Sequence, residues 1–169
     1  MASQLRVDKI LPVDGAPTGG GGGIIQIKQT FLNTATSTTT SGSFTDISGM
    51  SVSITPKFNT SKIFVMITLG SISSAAGISV GFRLLRDSTA VGNAADTTLQ
   101  SGFTNIYDGG DASLFSASHN FLDSPSTTSA ITYKLQWRNS SGTTYLNRYS
   151  GSSDSYNGSS TITAMEVSA

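Results

Sequence analysis

Side chains that could do acid–base or nucleophilic chemistry are few in this sequence. His119 is the only histidine, cysteine is absent, and a single glutamate, Glu166, accompanies nine aspartates. A serine hydrolase needs a histidine beside its nucleophile, and its usual Gly-x-Ser-x-Gly turn is missing here. His119 shares an alternating apolar pattern with Phe115, Ala117 and Phe121, so we expect it to be a packing residue on one face of a strand. The sequence therefore predicts a protein that is not an enzyme.

The Asp-Gly-Gly-Asp segment at residues 108–111 is where a metal ion could bind. Asp108 and Asp111 would contribute carboxylate oxygens, which are the ligands that Ca²⁺ prefers. Two carboxylates are few for the roughly six to eight oxygens around that ion, unless backbone carbonyls and water complete the shell. Because Asp and Gly are also favoured in turns, a turn is the favoured interpretation, and we expect no bound metal or cofactor.

Tyrosines in or near polar loops could instead hold a sugar. Tyr107 adjoins the Asp-Gly-Gly-Asp segment, and Tyr145 and Tyr156 lie late in the chain among Ser, Asn and Gly residues. An aromatic ring can cover the apolar face of a sugar while carboxylates such as those of Asp108 and Asp111 bind its hydroxyls. These five residues are the candidate glycan contacts. The alternative is that they are ordinary half-buried loop residues.

An alternation of apolar and polar residues predicts the strands that must position these side chains. The pattern runs through residues 25–31, 50–54, 78–84 and 131–137, and we expect residues 160–167 to form a last strand that is paired inside the sheet. Helical spacing is not sustained over three turns anywhere, and Gly, Ser, Asn and Asp clusters separate the apolar segments. We therefore predict an all-β protein, an antiparallel β-sandwich or jelly roll of about eight strands with an extended N-terminal tail.

Two segments allow more specific expectations. In residues 61–69, Phe64 and Met66 lie opposite another set of apolar residues, so we expect this strand to be covered on both faces, either by a central position or by a neighbouring subunit. Residues 137–145 combine two strand-like runs with a short loop that contains Gly142. This arrangement predicts a β-hairpin.

A glycine run divides the chain. It consists of Gly19, Gly20, Gly21, Gly22 and Gly23. We interpret it as a flexible hinge in front of a β-sandwich domain at residues 24–169, because consecutive glycines lose the most backbone entropy on ordering.

The segment before the hinge, residues 1–18, could dock on another protein. Its apolar side chains are Leu5, Val7, Ile10 and Leu11. Pro12 and Pro17 prevent a long helix here, and so short a segment cannot bury this stripe by itself. We interpret residues 1–18 as an attachment peptide, with a frayed terminus as the alternative.

Composition excludes several classes of partner. Ten basic and ten acidic residues give a formal net charge of zero, and only 12% of the residues are charged, whereas serine and threonine together number 51. Nucleic acids and anionic membranes attract proteins that carry a basic patch. The apolar runs are also far shorter than the roughly 20 residues of a membrane-spanning helix. We therefore expect no nucleic-acid partner and no membrane insertion.

Several segments resemble one class of structural protein. Residues 3–10 with the Pro/Gly-rich passage after them, and residues 131–137, 144–148 and 160–167, are similar to segments of tail-fibre and related virion proteins of tailed phages, cyanophages especially. The resemblance implies a component of the virion, on its tail or capsid surface, that is commonly a homotrimer. Its N-terminal peptide would attach to other virion proteins, and its β domain would project outward, with a host cell-surface glycan as a further partner.

The resemblance transfers no catalytic residues. Two alternative functions share the same β-sandwich. One is a carbohydrate-binding, lectin-like module, and the other is a capsid decoration or head-fibre protein.

Overall fold

Antiparallel strands build the part of the chain that the structure describes. The computed structural model describes residues 23–39, 42–95, 102–109, 113–151 and 157–168. The strands in these ranges are β1 (Ile24–Leu32), β2 (Thr36–Thr38), β3 (Thr45–Ile54), β4 (Lys62–Ser74), β5 (Ile78–Arg86), β6 (Thr89–Ala90), β7 (Thr104–Asp108), β8 (Phe115–Asp123), β9 (Ile131–Asn139), β10 (Thr144–Leu146) and β11 (Ser160–Val167). The described residues include no helix that could span a membrane.

The strands form two sheets. Sheet A has the order β1-β11-β4-β8. The short β10 pairs with the C-terminal end of β4, on the same edge as β11, and the short β2 pairs with β10. Sheet B has the order β3-β9-β5, with β7 and the short β6 on the other side of β5.

The topology is that of a jelly roll. Without the short β2, β6 and β10, eight strands of at least five residues remain in the described ranges. In chain order the first pairs with the eighth, the second with the seventh, the third with the sixth and the fourth with the fifth. A long antiparallel hairpin rolled into two four-stranded sheets has these pairings. The predicted all-β sandwich is confirmed.

The core lies between the two sheets. The alternation predicted for residues 50–54, 78–84 and 131–137 is confirmed, because the apolar member of each pair is buried. The largest buried side chains are Trp137, Tyr133 and Phe82, all from sheet B. They pack against aliphatic residues of sheet A such as Ile67 and Leu69. Interdigitation of the two inner faces is how a sandwich removes apolar area from water.

β1 forms where the alternation predicts a strand, but its apolar side faces outward. Ile27 is 55% exposed and Phe31 is 58% exposed. Gln26 faces inward, and its Nε2 donates a hydrogen bond to Glu166. The hydroxyl of Thr30 donates to a backbone carbonyl of β3. The inner positions of β1 are polar because this strand closes the edge of the sandwich against β3.

The predicted hairpin at residues 137–145 is wrong. β9 pairs with β3 and β5 in sheet B, whereas β10 pairs with β4 and β2 in sheet A. The loop between them is closed by Asn139, which is buried and whose Nδ2 donates to the carbonyls of Ser141 at 2.9 Å and Gly142 at 2.7 Å. The loop therefore carries the chain from one sheet to the other.

Asp123 links the two sheets. It lies at the end of β8 in sheet A, is buried, and its Oδ2 accepts hydrogen bonds from the Tyr133 hydroxyl at 2.6 Å and from Arg86 Nη1 at 2.7 Å. Tyr133 and Arg86 belong to β9 and β5 of sheet B. Burial and the hydrogen bond to Asp123 raise the pKa of Tyr133, so its hydroxyl stays protonated as a donor. These three side chains form an intersheet clamp.

Asn147 links three strands at the opposite edge of sheet A. It is buried and has a positive φ of 64°. Its Nδ2 donates to the carbonyls of Leu32 at 2.9 Å and Thr34 at 3.1 Å, and its Oδ1 accepts from the Ser160 hydroxyl at 2.7 Å. Its backbone N–H donates to the carbonyl of Ser71 at 2.6 Å. The side chain of Asn147 thus connects the end of β1 to the start of β11, and its backbone N–H adds a bond to the C-terminal part of β4.

Candidate functional site

The predicted glycan contacts are distributed over both sheets. Tyr107 lies in β7 of sheet B and is 64% exposed. Tyr145 lies in β10 of sheet A, and the Arg148 guanidinium sits 4.3 Å from the centre of its ring. Asp111 and Tyr156 lie outside the described residues. Glycan binding stays a prediction, and Tyr107 is the candidate ring that is open to solvent.

Asp108 accepts hydrogen bonds from two backbone N–H groups. It is buried, its Oδ2 accepts the N–H of Ser113 at 3.0 Å, and its carbonyl accepts the N–H of Gly77 at 2.5 Å. Within the described ranges, no group of three or more His, Asp or Glu residues is placed to hold a metal ion. One oxygen of the Asp108 carboxylate thus accepts a hydrogen bond within the chain, and the turn interpretation of residues 108–111 stays a prediction because Gly110 and Asp111 lie outside the described residues.

His119 packs within the sandwich. It lies opposite the buried Ile67 in the β8–β4 pairing, and its ring stacks on Phe103 with a centroid distance of 4.6 Å and an interplanar angle of 9°. Burial lowers the pKa of His119 and outweighs the opposing effect of a hydrogen bond to the backbone of Gly92. The imidazole is accordingly neutral at neutral pH, and it serves as a packing residue.

Glu166 is a buried carboxylate that holds a loop. Its Oε2 accepts a hydrogen bond from Gln26 at 2.6 Å, and its Oε1 accepts from the backbone N–H groups of Lys57 at 2.6 Å and Phe58 at 3.4 Å. Burial by itself raises the pKa of Glu166, but these hydrogen bonds to the ionised form outweigh it, so the pKa lies below its ordinary value. The carboxylate thus fixes the loop between β3 and β4.

Replacing Glu166 with glutamine should weaken the fold in a pH-dependent way. At neutral pH we expect the free energy of unfolding to fall by about 1–3 kcal/mol, because one amide oxygen cannot replace both acceptor oxygens. The contribution of the ionised Glu166 is fully present above the unfolded-state pKa of about 4.3, and it is lost as the pH falls through the lower folded-state pKa. Urea unfolding of both proteins at a series of pH values should show that the difference between their free energies of unfolding becomes smaller in acid. A difference that does not change with pH would contradict this assignment.

The outer face of sheet A presents apolar side chains to solvent. Directly paired residues of neighbouring antiparallel strands point to the same side of a sheet. Their registers define the outer face as Ile24, Val167 and Lys62, then Ile27, Met165, Phe64 and Leu122, then Gln29, Thr163, Met66 and Asn120, then Phe31, Thr161, Thr68 and Ser118. Lys62 is the one charged residue among these positions.

One line of this face is apolar across all four strands. This apolar row consists of Ile27, Met165, Phe64 and Leu122 from β1, β11, β4 and β8. Its end members Ile27 and Leu122 are 55% and 49% exposed, and its central members are half-buried. The expectation that residues 61–69 are covered on both faces is met only for the inner face of β4, which packs against the core. The outer face, with Phe64 and Met66, is left open within the described residues. Sequence alternation alone did not reveal the row, because its members come from four distant segments.

The predicted attachment residues lie outside the part of the chain that the structure describes. Leu5, Val7, Ile10 and Leu11 and the hinge glycines Gly19 to Gly22 lie before the described residues. The chain enters β1 through Gly23, whose carbonyl accepts the N–H of Ser168 at 3.0 Å. Gly23 therefore lies at the edge of sheet A that carries Ile27.

No protein family and no curated protein sequence matches this chain. Solved structures of infectious bursal disease virus are similar in fold. The structure of its Gx strain has a TM-score of 0.45 and 14% identity, covering 96% of this chain and 44% of that chain. A structure of T=1 particles derived from the same virus has a TM-score of 0.40 and 15% identity, covering 98% of this chain and 41% of that chain. The chain spans less than half the length of each of these solved chains.

Proposed function

We propose that this protein is a non-enzymatic structural subunit of a virion, a tail-fibre or fibre-like protein that is attached through residues 1–18 and assembles as a homotrimer. The proposal rests on which side chains the fold buries and which it exposes. Asp108, Asp123, Asn147 and Glu166 are buried and hydrogen-bonded within the chain, while the outer face exposes apolar side chains. A surface of this kind suits contact between proteins.

Three further features support this proposal. The jelly roll is an architecture of virion and lectin domains, which is an analogy at the level of fold. Residues 3–10 and 131–167 include the segments that resemble phage fibre proteins. The absence of cysteine removes an oxidisable thiol from a protein that would stay exposed outside the cell.

Deleting residues 1–18 should remove the protein from particles. The segment carries four apolar anchors, and burying one large apolar side chain contributes about 1.5–3 kcal/mol, so losing three or four should weaken attachment by more than about 100-fold. Particles of the parent virus that carry the deleted chain, analysed by quantitative mass spectrometry and electron microscopy, should lack it. The position of the wild-type chain in the micrographs will also distinguish a tail fibre from a capsid decoration protein.

The control variant changes only polar residues of the same segment. Arg6→Gln with Lys9→Gln keeps the apolar stripe, and we expect normal incorporation. Circular dichroism of the deleted chain should match that of the wild type, which separates loss of attachment from loss of folding. Incorporation of the deleted chain at normal occupancy would show that residues 1–18 are not the anchor.

A further inference from the structure

We propose that the outer face of sheet A is the surface on which copies of this chain associate, with the apolar row at the contact between subunits. This inference rests on the proposed function, since it names the partner of the apolar face as a second copy. The fold places the members of the apolar row next to each other. Four strands bring Ile27, Met165, Phe64 and Leu122 into one line, although they are widely separated in the sequence.

The charge of the outer face fits a contact between identical surfaces. In a homotrimer the same face of each copy can turn toward the threefold axis, where charged side chains would lie close to charges of their own sign and repel. The outer face carries Lys62 alone, at its end, and its remaining polar members are hydroxyls and amides. These groups can donate and accept hydrogen bonds with copies of themselves. An acidic partner would find only the charge of Lys62 on this face, and a basic partner would find no acidic side chain among its positions.

The size of the outer face is also that of an interface between subunits. Four strands about 4.8 Å apart and eight residues at about 3.3 Å each span a plane of about 19 Å by 26 Å, or roughly 500 Å². Side-chain relief makes the accessible area larger than this plane, and a standard interface takes about 800 Å² from each partner. A single extended segment such as residues 1–18 covers a band only about 5 Å wide. The sheets of neighbouring copies around a threefold axis cover more of the face than such a segment does.

The test places a charge at each end of the apolar row. Leu122→Lys and Ile27→Lys change exposed side chains, so the single chain should keep its fold. In the oligomer each lysine would be buried against an apolar copy, and we expect the dissociation constant to rise at least about 100-fold for either variant. Leu122→Met keeps the row apolar and should associate like the wild type. Tyr107→Lys introduces the same charge on the outer side of sheet B and should leave association unchanged.

Light scattering and sedimentation of the full chain at micromolar concentration provide the measurement. An oligomeric wild type, with monomeric Leu122→Lys and Ile27→Lys variants of unchanged circular dichroism, is the expected result. If both variants stay oligomeric, another surface forms the contact. A monomeric wild type overturns the inference, whether the face is bare or covered by residues 1–22. Incorporation into particles is measured separately, so a wrong assignment of this face would leave attachment through residues 1–18 intact.

Discussion

Replacing Asn147 with alanine is expected to lower the free energy of unfolding by about 3–5 kcal/mol. The change leaves the carbonyls of Leu32 and Thr34 without their amide donor and the buried Ser160 hydroxyl without its acceptor. Alanine also tolerates the positive φ of this position less well than asparagine does. Because the lost side-chain contacts join the segment at the end of β1 to the start of β11, this loss should weaken that end of sheet A.

Two variants at the same position separate these effects. Asn147→Gly removes the side chain but accepts the positive φ, so it should be less destabilising than alanine by about 1 kcal/mol. Asn147→Asp keeps the shape but replaces the amide donor with a second acceptor, so it should be no better than alanine. Urea unfolding followed by circular dichroism measures all three at one protein concentration, since association makes apparent stability depend on concentration. An alanine variant within about 1 kcal/mol of the wild type would rule out this role.

Replacing Asp123 with alanine should lower the free energy of unfolding by about 2–4 kcal/mol, because it breaks a largely buried ion pair, in which the arginine side chain is 25% exposed, and leaves its partners uncompensated. The Arg86 guanidinium and the Tyr133 hydroxyl both lose their acceptor between the two sheets. Asp123→Asn keeps an oxygen that can accept from Tyr133, so its cost should be smaller. We therefore expect the free energy of unfolding to decrease from the wild type to Asp123→Asn and again to Asp123→Ala.

The chain offers a matched control for the clamp. Asp46 pairs with Lys134 Nζ at 2.8 Å, nearly the same distance as in the Arg86–Asp123 pair, but the Asp46 side chain is 53% exposed. Solvent screens an exposed pair, so Asp46→Ala should cost less than about 1 kcal/mol. The same unfolding measurement compares the two alanine variants. Equal costs would show that burial does not give the Asp123 clamp its strength.

Sequence reasoning located the strands and the core of sheet B well. Residues 50–54, 78–84 and 131–137 alternate regularly, and each places its apolar side chains in the core. β11 begins and ends where the last strand is expected, at Ser160 and Val167. In these segments one face is dry and the other is wet, so local alternation and tertiary burial favour the same arrangement.

Predictions from the sequence were wrong where the structure depends on which strands pair with each other. The run from Trp137 to Tyr145 has the composition of a hairpin, but its two halves belong to different sheets. Asn147 gave no local signal, because the bonding partners of its side chain lie 13 and more than 100 residues away along the chain. The candidate site was missed for the same reason, since no short window contains two members of the apolar row.

Composition and periodicity by themselves determined that this is a neutral, hydroxyl-rich, all-β protein with few groups for catalysis. Tertiary structure alone decided that β1 turns Ile27 and Phe31 outward and that the apolar row crosses four strands of sheet A. Alternation divides each strand into two faces, but it does not say which face meets the core. That choice depends on register and on which strands become neighbours, and both are set by packing between residues distant in the chain.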